Sequence, residues 1–402
     1  QGRKNEIWFQ DLEHQLLSSQ NSLYLGKFKW NINVAYQNAL RKLQTTLDVP
    51  FVEMNLNTIT YESKLYFPPN DKSEYIIGLQ GMLQNNKNLN NRASQFLPDA
   101  NINNIGFLGL AQYTFFEKLK LQGGLRFDMY KTKTFELGIE GTSGYHAPVN
   151  KEFSNLNGSI GATYSVNNKT TLRTNFAKGY RVPNLSELTS NGMHGNRYEI
   201  GNENLSPENS FETDLNMHYH GEFLSFDLAG FYNQINDYIF ISPTTDTTSN
   251  GISIYRFSQT NATLHGGEAG IHFHPKSLPW LHIEGTYSLV IGKQENGNYL
   301  PFIPAQKFRY EIRAEREKIG FLKKPSIKLS ALTALKQSNP SPYETETNGY
   351  TLVNFSINTD IHVLRQILNF GISVNNIFDT QYFDHLSTLQ PLNYYNQGRN
   401  IS

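Results

Sequence analysis

The chain of 402 residues contains no cysteine, which removes disulfides, thiolate metal ligands and cysteine nucleophiles from consideration. It carries no net charge, with 35 basic against 35 acidic residues. Nothing in it resembles the basic stripe that tracks a phosphate backbone, so nucleic acid is not an expected partner. No run approaches the roughly 18 apolar residues of a spanning helix, and no long segment places apolar residues at i, i+3, i+4 and i+7. Any membrane crossing must be made by strands. The opening residues, QGRKNEIWFQ, lack the charged-then-apolar pattern of a secretion signal. The expectation is a mature, truncated or excised chain.

What the chain does have is aromatic: 23 Tyr and 26 Phe, in a sequence only 38 % hydrophobic. Outer-membrane barrels combine aromatic girdles outside with a polar lumen inside, and that combination accounts for such a composition. Period-two alternation points the same way. From 119 to 129, Leu119, Leu121, Leu125, Phe127 and Met129 alternate with Lys120, Gln122, Arg126 and Asp128. Phe211, Thr213, Leu215, Met217 and Tyr219 alternate likewise with Glu212, Asp214, Asn216, His218 and His220.

The spacing predicts an all-β chain of about 15 or 16 strands, each roughly ten or more residues long, the length a tilted strand needs to cross a bilayer. Short links are expected near 68–72, 167–169, 221–222, 275–279 and 362–364. Long ones fall near 87–104, 135–152, 179–207, 242–252, 338–348 and 378–391. Short turns on one rim and long loops on the other describe an antiparallel transmembrane β-barrel, the short rim periplasmic and the long rim outside the cell. A soluble solenoid would show a fixed repeat of 20 to 50 residues, and none is visible.

Several motifs carry a family resemblance. NFAKGYRVPNLSEL, followed by SNGMHGNRYEIGNENLSPENSFETDL, resembles TonB-dependent outer-membrane receptors, in which an aromatic-Arg-x-Pro turn ends a strand and a G-N-x-x-L-x-x-E segment begins the next. YQNALRK at 36–42, GLQGMLQNN at 78–86, GLRFD at 124–128 and VNNIFDTQYFDHLS at 374–387 agree in order, and NQGRNIS at 396–402 resembles the start of the family's last strand. SNG-x-H followed by E-x-G-N is similar to a branch associated with zinc and other free metal ions.

The resemblance implies outer-loop capture of a scarce ligand and import energised by the TonB complex, through an N-terminal plug and coupling segment. It also implies the lipid of the outer membrane as surroundings, a metal ion or metal chelate as ligand and no required cofactor. A bound zinc or other transition-metal ion is then transported ligand. Family barrels have about 22 strands, so residues 1–402 are expected to be the partial barrel domain, without plug or first strands. Open first and last edges would leave it in need of its missing part to close. A siderophore or haem receptor of the same fold and a passive porin of about 16 strands are the alternatives.

With no cysteine, metal ligands must be His and carboxylate. His194 and Glu199 lie five residues apart in the longest outer loop, with Glu203 and Glu208 following. Further ligands are sought in His146, Asp384 and His385, or in the plug. The plainer alternative makes His194 a solvated loop residue and Glu199 the partner of Arg197 or a turn cap.

Other polar residues attract structural readings. His218 and His220, and His272 and His274, face the polar side near short turns, as lumen lining or as an exit-side site. Glu212, Asp214 and Asp128 would offer a cation a polar path or hydrogen-bond a plug. Pro183 reads as a strand terminator, and Gly201 and Asn202 suit a turn with positive φ. Ser186, Glu187 and His194 share a loop, but no G-x-S-x-G elbow accompanies them, so an enzyme is not expected.

Overall fold

The computed structural model describes residues 9–45, 49–89, 92–94, 96–142, 144–363 and 366–402. Among these are twenty strands, sixteen of them nine residues or longer, one five-residue helix and one 3-10 turn. The all-β, antiparallel expectation therefore holds, down to the number of long strands. Of the expected features, the first eight residues, the end of the link at 362–364 and interior positions of the loops at 87–104 and 135–152 lie outside the described residues.

The chain forms two compact units. One comprises Gln1–Gly161, Ala177–Phe211 and Ile235–Asn261; the other comprises Ala162–Phe176, Glu212–Gln234 and Ala262–Ser402. In the first, the strands Phe9–Leu25, Phe28–Gln44, Val52–Tyr66, Ser73–Asn88, Ala100–Phe115 and Leu119–Thr134 pair each with the next, antiparallel, in a meander. In the second, Leu281–Gln294 pairs with the end of Ser253–Phe273 and with Lys307–Glu315. Leu322–Ala334, Tyr350–Val363 and Gln366–Asn375 follow in turn. Asn400–Ile401 pairs with the last of these, where the sequence predicts a strand to begin.

Burial on these strands is inverted relative to a soluble protein. In Leu119–Thr134 the apolar Leu125 is 64 % exposed and Phe127 and Met129 are exposed with it, while Arg126, Asp128 and Tyr130 are partly covered. Ile271, Tyr310, Ile312, Ile327 and Phe370 are exposed in the same way. Water would penalise such a surface, whereas lipid accepts it and leaves the polar residues to the opposite face. That polar face is internally paired. Arg126 is 2.6 Å from Asp128, Asn33 donates to Glu62 at 3.1 Å, and Asn233 donates to Glu212 at 2.8 Å. Asp128 is thus neutralised by Arg126 rather than left open as a cation step, and Glu212 is hydrogen-bonded.

Alternation located the loops with two corrections. The strand Leu224–Thr247 runs to within a few residues of Ser253, so the loop expected over 242–252 shrinks to a tight turn. Residues 295–306 form a long connection that the sequence did not mark. Apolar core is small by comparison with exposed apolar surface: Leu188, Leu205 and Ile239 cluster with Phe257 against them. Leu188 and Leu205 belong to the loop over 182–207 itself.

Candidate functional site

The loop over 182–207 is organised from its two ends. Arg181, the last residue of the strand Thr170–Arg181, donates from Nη1 to both oxygens of Glu187 at 2.9 Å. From Nε and Nη2 it donates to the two oxygens of Glu208 at 2.7 and 2.6 Å. A rigid guanidinium fork suits such double recognition. Glu208 also accepts from the Ile239 amide at 2.7 Å. The loop's entry and exit are therefore tied to one cation, and neither Glu187 nor Glu208 is available as a metal ligand or catalytic base.

Pro183, fully buried, follows the strand end. Asn184 then caps the helix Leu185–Thr189: its side chain accepts from the Glu187 amide at 2.9 Å, and Glu187 accepts in return from the Asn184 amide at 2.8 Å. This reciprocal capping box is legible in N-L-S-E. Gly201 and Asn202 are not at positive φ. Gly201 is needed for close approach instead, since a Cβ there would stand 2.5 Å from the Thr189 backbone nitrogen.

Between these anchors, Asn191–His194 and Arg197–Ile200 form a small hairpin whose turn has Gly195 at φ 63°. A two-residue turn favours glycine at such a position. The hairpin's second strand pairs in parallel with Ser253–Phe273, Glu199 opposite Tyr255. Its first strand receives support from Phe96, whose carbonyl accepts from the Asn191 amide at 3.2 Å. A stretch rich in glycine and polar residues thus becomes ordered by pairing with a strand more than 50 residues away.

The register sets His194 opposite Arg197, with Glu199 two residues further on the same face. One oxygen of Glu199 receives Nε of Arg197 at 2.7 Å and Nδ1 of His194 at 3.0 Å. Glu199 is 2 % exposed, while the His194 side chain is 62 % exposed. The Arg197 guanidinium lies over the Tyr255 ring at 4.9 Å, and Phe96 packs against the His194 ring at 5.0 Å. A carboxylate only accepts, so Nδ1 of His194 carries the hydrogen, and Nε2 is the nitrogen left to offer a lone pair. Both readings of Glu199 weighed on the sequence meet here: it pairs with Arg197, and it touches His194.

The other candidates are placed elsewhere. His146 is buried, its Nδ1 donating to the Thr189 carbonyl at 2.8 Å, and it pins the 135–149 loop to the end of the helix. Asp384 and His385 belong to the second unit. Asp384 accepts from Lys307 Nζ at 2.9 Å and from the Tyr350 hydroxyl at 2.8 Å. Burial acts to raise its pKa, but the donors Lys307, the Leu386 amide and Tyr350 outweigh it and hold the carboxyl below its usual range. His385 shares a hydrogen with Thr347 Oγ1 at 2.7 Å, and its Nε2 is 3.9 Å from Glu344. Glu203 is exposed. Among the described residues, no three His, Asp or Glu side chains stand gathered as a metal centre.

Sequence reasoning missed Phe96, Tyr255 and Arg181 as parts of this site. Arg197 was recognisable from its i, i+2 relation to Glu199 on an alternating strand. Phe96 and Tyr255 carried no such signal, because each reaches the hairpin only through tertiary pairing.

A family model described as "TonB dependent receptor-like, beta-barrel" matches residues 3–377. Among solved structures the chain is similar to the copper transporter OprC, at 19 % identity and a TM-score of 0.75, over 94 % of this chain and 60 % of that one. It is similar to the FrpB iron transporter from Neisseria meningitidis at 15 % identity and a TM-score of 0.73, over 98 % and 64 %. The ferric-catecholate import receptor Fiu from K12 E. coli matches at 15 % identity and a TM-score of 0.67, also over 98 % and 64 %. The chain therefore spans less than two thirds of the length of each.

Proposed function

The chain belongs to the TonB-dependent receptor-like β-barrel family, and we propose that its His194 hairpin captures a transition metal for import energised by the TonB complex. Barrels of this family are outer-membrane proteins, and the family is one of receptors rather than enzymes or passive porins.

The observation carrying this reading is the contact of His194 Nδ1 with Glu199 at 3.0 Å. Metal-binding histidines characteristically donate their second ring nitrogen to a carboxylate, which fixes the tautomer and raises the basicity of the ligating nitrogen. Glu199 is then the positioning residue and His194 Nε2 the ligand. Arg197 balances the buried charge of Glu199, and Phe96 holds the ring against rotation. Capture is followed by enclosure among the outer loops and by release when TonB acts on the receptor. Neighbours named as copper and iron transporters support a metal cargo.

Imidazole suits zinc, copper, iron and nickel. Zinc stands first, because SNGMH followed by EIGN resembles the free-ion branch. It needs further ligands, since structural zinc takes four and catalytic zinc three from protein. His146, in the same unit, is buried with Nδ1 on the Thr189 carbonyl, so any ligation by it would be through Nε2. An iron siderophore or haem is the second reading, favoured by the single nitrogen that the hairpin presents: a chelated metal with one open position needs no more.

The test is elemental mass spectrometry of the full-length receptor after equilibration with zinc, copper, nickel, iron and manganese, beside His194→Ala. Near-stoichiometric metal lost in the variant supports the ion reading. Binding of haem or a ferric chelate that requires His194, with no free ion retained, supports the second. Retention of metal or chelate that is indifferent to His194 overturns the site.

A further inference from the structure

Three histidines meet on the polar face of the second unit, beside the short link over 274–280. His272 and His274 lie at the end of the strand Ser253–Phe273 and His282 at the start of Leu281–Gln294. Their ring centroids are 5.0, 5.3 and 6.1 Å apart. Period-two alternation along Leu281–Gln294 puts His282 on the face of Glu284.

The contacts differ from those of an ordinary polar lining. On nearby strands, His218 and His220 each satisfy Nδ1 on an oxygen, Asp227 at 2.6 Å and Ser225 at 2.8 Å. His272 and His282 instead aim nitrogen at nitrogen, Nε2 to Nδ1, at 3.0 Å. The remaining nitrogen of His282, Nε2, faces a Glu315 oxygen at 3.4 Å. A Glu284 oxygen lies 3.8 Å from His272 Nε2. Arg313, opposite His282 in register, bridges Glu284, Glu311 and Glu315 and offsets their charge.

We propose that His272 and His282, a nitrogen pair rather than a ready three-ligand centre as they stand, form a second transition-metal site once Glu284 turns in as a third ligand, with Glu315 as the positioning carboxylate. Two nitrogens bound at about 2.0–2.1 Å to one tetrahedral ion lie roughly 3.3 Å apart, close to the separation the rings already have. Glu315 holds the hydrogen of His282 on Nε2, which leaves Nδ1 as a lone pair. Without metal, His272 Nε2–H donates to that lone pair. When an ion enters, the His272 hydrogen moves to its own Nδ1 through solvent and the ion takes the place between the two nitrogens, with no net loss of protons. Rotation of the Glu284 side chain closes the third position, and water completes the shell. Two imidazoles and a carboxylate suit copper(II), nickel(II) or zinc(II). Short links face the periplasm in barrels of this kind, so the site lies at the exit side of the wall, where an ion leaving the barrel would be held.

The test uses the intact receptor in detergent carrying His194→Ala, so that the capture hairpin is silent, loaded with one equivalent of copper(II). Pulsed electron paramagnetic resonance is expected to show two coordinated imidazoles, reduced in His282→Gln and abolished in His272→Gln/His282→Gln. Glu315→Gln should weaken copper affinity about 10- to 100-fold while the two-imidazole signature persists at saturation. Heat-modifiable migration of each variant checks that it is folded, and Glu315→Gln serves if the double variant is not. Absence of bound copper, or a two-imidazole signal unchanged in folded His272 and His282 variants, overturns the site whatever the fate of the His194 reading.

Discussion

Glu199 takes Nε and Nη2 of Arg197 on a single oxygen, at 2.7 and 2.6 Å, from a position two residues along the same strand. The same oxygen accepts from His194, so one buried carboxylate sets both the orientation and the tautomer of the exposed ring. Glu199→Gln keeps the size and an acceptor but removes the charge that both donors share. Metal or chelate affinity of the full-length receptor, measured by titration calorimetry, is expected to fall about 10- to 100-fold. Unchanged affinity would remove Glu199 from the site.

Arg181 holds both ends of the loop over 182–207. Glu187 and Glu208 are almost wholly covered at their side chains, while Arg181 is 42 % exposed. Arg181→Ala leaves two paired carboxylates without their cation. The cost expected is on the order of 2 kcal/mol, below that of a fully buried pair because solvent screens this one. Hydrogen exchange should quicken at the Ile239 amide and through 182–207, with the strands of the first meander unaffected.

The lowered pKa of Asp384 gives a directional pH dependence. Its folded pKa lies below its unfolded one, so the stabilisation is complete above the unfolded value and is lost as pH falls through the folded value. Contacts of the 376–399 loop with Lys307 and Tyr350 should therefore persist at neutral pH and loosen from about pH 4 downward. Proteolysis by an acid protease along a pH series would register this. Asp384→Asn should flatten the response between neutral pH and that acid limb, and a loop that instead loosens on the alkaline side would contradict the assignment.

The exposed apolar stripe is the surface that lipid must cover. Leu125→Arg is expected to destabilise the receptor in bilayers by about 2–4 kcal/mol if the residue is at mid-depth, while Gln122→Arg on the other face should cost little. Folding titrations in lipid vesicles compare the two. Equal tolerance would place lipid somewhere other than on the Leu125 face.

How far the chain could be read in advance depended on the range of the interaction. Leu125 against Arg126 is a nearest-neighbour alternation, and a strand's two faces follow from it directly. The capping box at Asn184 and Glu187 is also local, a three-residue spacing that was legible and went unread. Two candidate ligands, His194 and Glu199, do meet, because a hairpin turn at Gly195 brings five residues of separation into register. His146, Asp384 and His385 are recognisable as loop residues, yet nothing in their neighbourhoods announced Thr189, Lys307 or Thr347 as partners.

By itself, then, the sequence determined that the chain is built of long antiparallel strands with lipid-compatible faces, where most of the links fall, and which family motifs it carries. These follow from period two, from turn residues and from ordered short motifs, all properties of contiguous residues. Tertiary structure decided which carboxylates are consumed by Arg181, how Phe96 and Tyr255 support the hairpin, and that His282 joins His272. Each of those depends on strands distant in sequence being set side by side at one register, and a shift of a single residue would turn every one of these side chains to the opposite face.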